Sequence, residues 1–104
     1  MPRSQSVPLL EGKTSTGDGL VSSYISEVHR TYQAIVSGTG AVTATIEIYV
    51  SNDAVNWILM GTISLSGTTT ATDGFTSEAP WKHTKAKLAE ITGTGASVSA
   101  YMGV

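Results

Sequence analysis

Val42-Thr-Ala-Thr-Ile-Glu-Ile-Tyr-Val50 alternates without a break. Successive side chains of an extended chain point to opposite faces, so Val42, Ala44, Ile46, Ile48 and Val50 share one side and Thr43, Thr45, Glu47 and Tyr49 the other. That pattern predicts a strand with one face in a core and one towards solvent or a partner. Upstream, Thr31 to Val36 reads as a second strand, joined to the first through Ser37-Gly38-Thr39-Gly40, whose glycines suit the positive φ of a tight hairpin. Downstream, Ser51-Asn-Asp-Ala-Val-Asn56 is rich in side chains that bond their own backbone and predicts a turn. Trp57 to Leu65 then resumes the alternation, with Trp57, Leu59, Ile63 and Leu65 on one side and Gly61 marking a bulge or a close approach.

The rest of the chain extends this reading. Thr68 to Thr72 is a polar strand leading to Asp73-Gly-Phe75 and a corner at Glu78-Ala-Pro-Trp81. Lys82 to Ile91 sets Lys85 and Lys87 outward against Ala86 and Leu88 inward, and Ser97 to Val104 places Val98, Ala100, Met102 and Val104 on one face. The stretch Val36-Ser-Gly-Thr-Gly-Ala41 recurs as Ile91-Thr-Gly-Thr-Gly-Ala96. Its flanks match poorly, so it is read as two hairpins using one turn rather than as a duplication. Ser22 to His29 is the one segment that fits a helical turn or two, with Tyr24, Ile25 and Val28 as its apolar positions.

Short strands separated by turns predict an all-β fold, an antiparallel β-sandwich. Residues 1–19 hold Gly12, Gly17 and Gly19 and a single apolar cluster, Val7, Pro8, Leu9 and Leu10. They read as an extended N-terminal arm ahead of a single β-sandwich domain at 20–104, and those four apolar residues are the candidates for gripping a partner. Ordering such an arm costs conformational entropy that a contact must offset.

With 104 residues the chain has room for one core. Charged residues make up 13%, about half the usual share of roughly 25%. Serine and threonine together supply 28 of the 104 positions. A hydroxyl surface loses fewer full charges from water when it is covered, so this composition favours a surface built for contact. Cysteine is absent, which excludes disulfides and thiolate chemistry. Met1-Pro-Arg-Ser-Gln-Ser6 has no apolar run behind its Arg and does not read as a secretory signal, and no stretch of 18 apolar residues is present to span a bilayer as a helix. The expectation is a protein made in the cytoplasm, with no membrane association.

Catalytic groups do not cluster. His29 and His83 have no carboxylate at a telling spacing, and no Gly-x-Ser-x-Gly elbow occurs. Zinc lacks ligands, and Asn52, Asp53 and Asp73 fit turns better than a calcium loop. The Gly-Thr-Gly turns are not followed by Lys-Ser/Thr or a helix, which excludes a P-loop. Lys82, Lys85 and Lys87 are the one basic stripe in a chain of net charge −2, a better match to a protected strand than to nucleic acid. The expectation is therefore no enzyme, no cofactor, no metal and no nucleic acid. Trp57 and Trp81 each open a strand after a turn, where an indole plugs the end of a core. Together with Asn52, Asp53 and Asn56 they form the alternative candidate site, an aromatic and amide surface for a sugar.

Six segments carry a resemblance: Tyr32-Gln-Ala-Ile-Val-Ser-Gly-Thr-Gly40, Ser51-Asn-Asp-Ala-Val-Asn-Trp57, Gly61-Thr-Ile63, Ala71-Thr-Asp-Gly-Phe75, Ala79-Pro-Trp-Lys82 and Ile91-Thr-Gly-Thr-Gly-Ala96. As a set, spanning residues 31–104, they resemble short bacteriophage proteins encoded among virion genes. The Ser51 to Trp57 turn is also similar to one in discoidin-type jelly rolls, whose strand-end loops can bind sugars or lipids. The resemblance implies a jelly-roll-like sandwich of the capsid decoration (cement) type, which straddles subunits of the phage major capsid protein as a dimer or trimer. It implies a place on the capsid exterior of the virion after synthesis in the host cytoplasm. A carbohydrate-binding module on a phage tail or head is the alternative.

Overall fold

A computed structural model describes residues 6–23, 30–77 and 81–103. The described chain is all-β, with five strands: β1 (Ser6–Lys13), β2 (Gly17–Ser23), β3 (Arg30–Ser51), β4 (Ile58–Ser77) and β5 (His83–Gly103). They form one open antiparallel sheet in the order β1-β5-β3-β4, with β2 also paired to β5. β1 runs beside residues 98–103 and β2 beside residues 83–88, so the two make one interrupted edge. β4 is the other edge. The expected helical segment lies largely at 24–29, outside the described residues, while Ser22 and Ser23 belong to β2.

Two expected hairpins are not turns at all. β3 continues through Ser37-Gly38-Thr39-Gly40 as a single strand of 22 residues, and β5 continues through Gly93-Thr94-Gly95 as one of 21. At both places the register slips instead, between Ser37 and Thr43 against β5 and between Ser37 and Ala41 against β4. Glycine can take positive φ in a bulge as readily as in a hairpin, so the same residues served both readings. Gly93 (φ 125°) and Gly95 (63°) in β5, Gly40 (75°) in β3 and Thr69 (65°) in β4 mark one line of left-handed residues across the three long strands.

Along that line the sheet doubles over. A straight strand of 22 residues would span about 70 Å at about 3.3 Å per residue, yet the longest dimension of the molecule is 40 Å. The connection from Ser77 to His83 makes the same demand. β4 ends beside Arg30 and β5 begins beside Ser51, at opposite ends of β3. So short a link reaches only about 20 Å, which forces those ends together. Both ends touch it: the Arg30 Nη1 group donates to the Trp81 carbonyl at 2.5 Å, and the Lys82 amide donates to Asn52 Oδ1 at 3.2 Å. Within β4 the Phe75 ring lies against Gly61, where a Cβ would sit 2.7 Å from the ring. Ser77 Oγ donates to Met60 Sδ at 3.6 Å across the same fold.

The inner face is the one the alternation predicts. Tyr32, Ala34 and Val36 from one half of β3 and Val42, Ala44, Ile46, Ile48 and Val50 from the other are all buried, as are Ala86, Leu88, Val98, Ala100 and Met102 of β5. Alanine at 34, 44, 86, 96 and 100 keeps the interior thin, in line with a shortest dimension of 17 Å. Ile63 and Leu65 join this core but Leu59 does not. A bulge between the pairs Ile48–Gly61 and Tyr49–Leu59 inserts one residue, and a one-residue slip turns Leu59 to the outer face.

The expected arm is corrected for its described part. β1 pairs with the last strand from Ser6–Gly103 to Lys13–Val98, and Leu9 and Leu10 are buried in the chain's own core. Val7 packs against that core and Pro8 is half-buried. Four adjacent apolar residues found a partner within the chain, because β5 without β1 would leave Val98, Ala100 and Met102 uncovered. Leu9 and Leu10 are therefore not available to grip another protein.

Candidate binding surfaces

Doubling the sheet leaves two outer faces, one on each half, and each is set by the odd-numbered residues of β3. On the half holding residues 42–51 the cross-strand rows are Val21–Lys85–Tyr49–Leu59 and Asp18–Lys87–Glu47–Thr62. Lys85 is the hub of this face. Its Nζ lies 4.6 Å from the centroid of the Trp57 ring, 6.0 Å from that of Tyr49 and 3.4 Å from Asp18 Oδ2. The Tyr49 hydroxyl donates to Glu47 Oε1 at 3.0 Å, and that hydrogen bond, which only the neutral phenol can donate, raises the phenol's pKa, with repulsion between a phenolate and the carboxylate adding to it. His83 meets the Trp57 ring edge-on at 6.5 Å.

The alternative sugar candidates come together at the end of this face. Ser51, buried at the end of β3, accepts the amides of Asp53 and Ala54 at 3.1 and 3.0 Å and donates to Asp53 Oδ1 at 2.8 Å. Asp53 Oδ1 also accepts the amides of Val55 and Asn56 at 2.9 and 2.8 Å, and its Oδ2 accepts Asn56 Nδ2 at 2.9 Å. These donors hold the Asp53 carboxyl well below the usual carboxylate range. Asn52 Oδ1 is taken by the Lys82 amide, which brings Trp81 alongside the turn. Both indoles are half-buried. So the turn and the tryptophans do meet, but the side-chain groups meant for sugar hydroxyls mostly hold the turn itself, and one side of Trp57 carries the Lys85 ammonium.

The outer face of the other half is different in kind. Its rows are Pro8–Tyr101–Gln33–Gly74, Ser99–Ile35–Thr72 and Ser97–Ser37–Thr70, with Thr31 opposite Thr76. None of these residues is Asp, Glu, Lys or Arg. Its hydroxyls and one amide are bonded to each other or to backbone: Gln33 Nε2 donates to Thr72 Oγ1 at 3.2 Å, Thr72 Oγ1 donates to the Ala34 carbonyl at 2.9 Å, and the Gly12 backbone amide donates to Ser99 Oγ at 3.0 Å. Arg30, next to Thr31, and Asp73, next to Thr72, are the charges nearest in sequence; Arg30 is buried, and Asp73, which is exposed, has the inward Ala34 as its register partner.

A small open cleft of about 260 Å³ lies where β1 and β2 part, lined by Leu9, Leu10, Glu11, Lys13, Asp18, Gly19 and Leu20. Its charged lining residues are Glu11, Lys13 and Asp18. Among the described residues no three His, Cys, Asp or Glu side chains converge to hold a metal ion, and no helix is long and apolar enough to cross a membrane. His29 lies outside the described residues.

Sequence reasoning missed the Lys85 hub because its acid, Asp18, sits 67 residues away in the stretch read as an arm. It also missed the uncharged face as a unit, although the count of Ser and Thr was its signal. No family model matches the chain, and no curated protein matches it.

Proposed function

We propose that the chain is a non-catalytic structural subunit of a bacteriophage particle, a capsid decoration (cement) protein that binds across subunits of the major capsid protein on the outside of the shell. In this reading the doubled sheet serves as the two layers of a jelly-roll-like β-sandwich. The observation that carries the proposal is the uncharged outer face built on Gln33, Ile35 and Ser37, with Thr70, Thr72, Ser97, Ser99 and Tyr101 around it. Covering it removes hydroxyls and one amide from water, groups whose hydrogen bonds a partner's backbone can replace, and no full charge. A shell lattice repeats the contact many times, so each one can be modest.

The test begins with purified particles. Mass spectrometry with copy counting is expected to find hundreds of copies per virion; a dozen or fewer, or none, would overturn the decoration role. Particles stripped of the protein are expected to take up the purified chain and the Lys87→Glu variant alike but to bind Gln33→Lys at least tenfold more weakly. The opposite pattern would move the contact to the charged face.

One observation favours a second reading, a carbohydrate-binding module. Trp57 and Trp81 are half-buried rather than sealed in the core, and they stand together at one end of the sheet. Glycan-array binding lost in Trp57→Ala and kept in Gln33→Lys would establish this reading over the first.

A further inference from the structure

We infer that β4 is the pairing edge for a second copy of this chain, joined antiparallel about a two-fold axis at Ser64. The two edges of the sheet are built differently. The β1 and β2 edge is interrupted at 14–16, carries Pro8, slips register between Pro8 and Leu10 and again between Leu10 and Lys13, and bears Glu11, Lys13 and Asp18. Those are the devices by which natural sheets discourage pairing with another chain. β4 has neither proline nor lysine over its 20 residues, and its one charged side chain is Asp73. Among the described residues it pairs with β3 and with no other strand. From Ala54 to Thr72 the chain carries no charge at all.

The occupant follows from symmetry within the strand. Gly61-Thr-Ile-Ser-Leu-Ser-Gly67 reads nearly the same from either end. Antiparallel pairing about Ser64 sets Gly61 against the copy's Gly67, Thr62 against Ser66, Ile63 against Leu65 and Ser64 against itself. Matched side chains with matched burial therefore meet: Ile63 and Leu65 are buried, while Thr62, Ser64 and Ser66 are exposed. An axis between two residues would instead oppose an inward side chain to an outward one, because the side-chain period is two. The bulge at Met60 and the left-handed Thr69, opposite the extra residues 38–40 of β3, bracket the segment, and between them its register with β3 is unbroken. An isologous contact needs a self-complementary patch, and this segment is one. The inference concerns the chain alone and does not rest on the proposed place in a virion.

The absence of cysteine makes the test clean. Directly opposed strand residues have Cα atoms about 4.5–5.5 Å apart, inside the range a disulfide bridges. Under mild oxidation Ser64→Cys is expected to give a covalent dimer on a non-reducing gel, while Ser99→Cys on the hydroxyl face gives none at the same concentration. By sedimentation the native chain is expected to show a concentration-dependent doubling of mass. Ser64→Lys, which sets two ammonium groups face to face at the axis, should raise the dissociation constant at least tenfold with an unchanged circular dichroism spectrum. A native chain that stays monomeric at millimolar concentration would overturn the inference. So would a dimer that survives Ser64→Lys, or cross-linking stronger through Ser99→Cys than through Ser64→Cys.

Discussion

The two outer faces of the doubled sheet share their strands and differ in almost everything else. Around Lys85 the side chains are committed to one another: an ammonium between two aromatic rings and a carboxylate, and a phenol on Glu47. Around Gln33 and Ile35 the side chains are short, uncharged and lightly bonded. A charged group that has found a partner inside its own chain resists being covered again, because a new partner must replace every contact it breaks. A hydroxyl surface resists far less. The lesson is that the busier face is not the better candidate for docking.

The largest effect should come from the core that both faces share. Ile46 is fully buried beneath the Lys85 face, and Ile46→Ala is expected to cost about 2–5 kcal/mol of stability, read from urea unfolding. The comparison predicts that both faces are lost in one transition; two separate transitions would mean that the halves fold independently. Next comes the contact that clamps the halves together. Gly61→Val drives a branched side chain into the Phe75 ring and is expected to cost about 1–3 kcal/mol, with a loss of near-ultraviolet signal from Phe75 and the Tyr32 ring 5.1 Å from it.

Smaller still is the difference between the faces themselves. Lys85→Ala removes the cation beside Trp57 and is expected to lower stability by about 0.5–1 kcal/mol and to shift the Trp57 fluorescence. Thr70→Ala, on the hydroxyl face, should stay within about 0.5 kcal/mol. Equal costs would erase the distinction drawn between a committed and an uncommitted surface.

The smallest effect is the acid response of the turn beside the Lys85 face. Asp53 has a lowered pKa when folded, so its contribution is complete above the unfolded value of about 3.9 and is lost as pH falls through the folded value. Amide exchange at Val55 and Asn56 should therefore speed up below about pH 4 beyond its intrinsic rate. In Asp53→Asn that acid dependence is expected to disappear.

Much of the fold was legible, and for a definite reason. Alternation is a local property, so the inward sets of Val42 to Val50, Ala86 to Leu88 and Val98 to Met102 followed from spacing alone. The turn at Ser51 to Asn56 was legible too, because its bonds run between residues two or three apart. The hairpins at Gly38 and Gly93 were misread because a bulge and a turn ask the same freedom of glycine. Leu59 was placed on the wrong face because one inserted residue, Met60, reverses the facing of the positions before it relative to Ile63 and Leu65. Of the candidate surfaces, the turn and tryptophans were seen to be neighbours, whereas the Lys85 hub and the uncharged face needed strands brought together from distant parts of the chain.

The sequence by itself determined that this protein is built of strands, which side chains each strand turns inward, and that its surface is poor in charge. Those are matters of period and composition, settled within a few residues. Only the tertiary structure decided that three strands of 20 to 22 residues run unbroken through their glycines and bend together, that Leu9 and Leu10 close the core, and that the hydroxyls gather on one face. Those outcomes depend on which strands lie side by side and in what register, and pairing between residues tens of positions apart leaves no mark on local spacing.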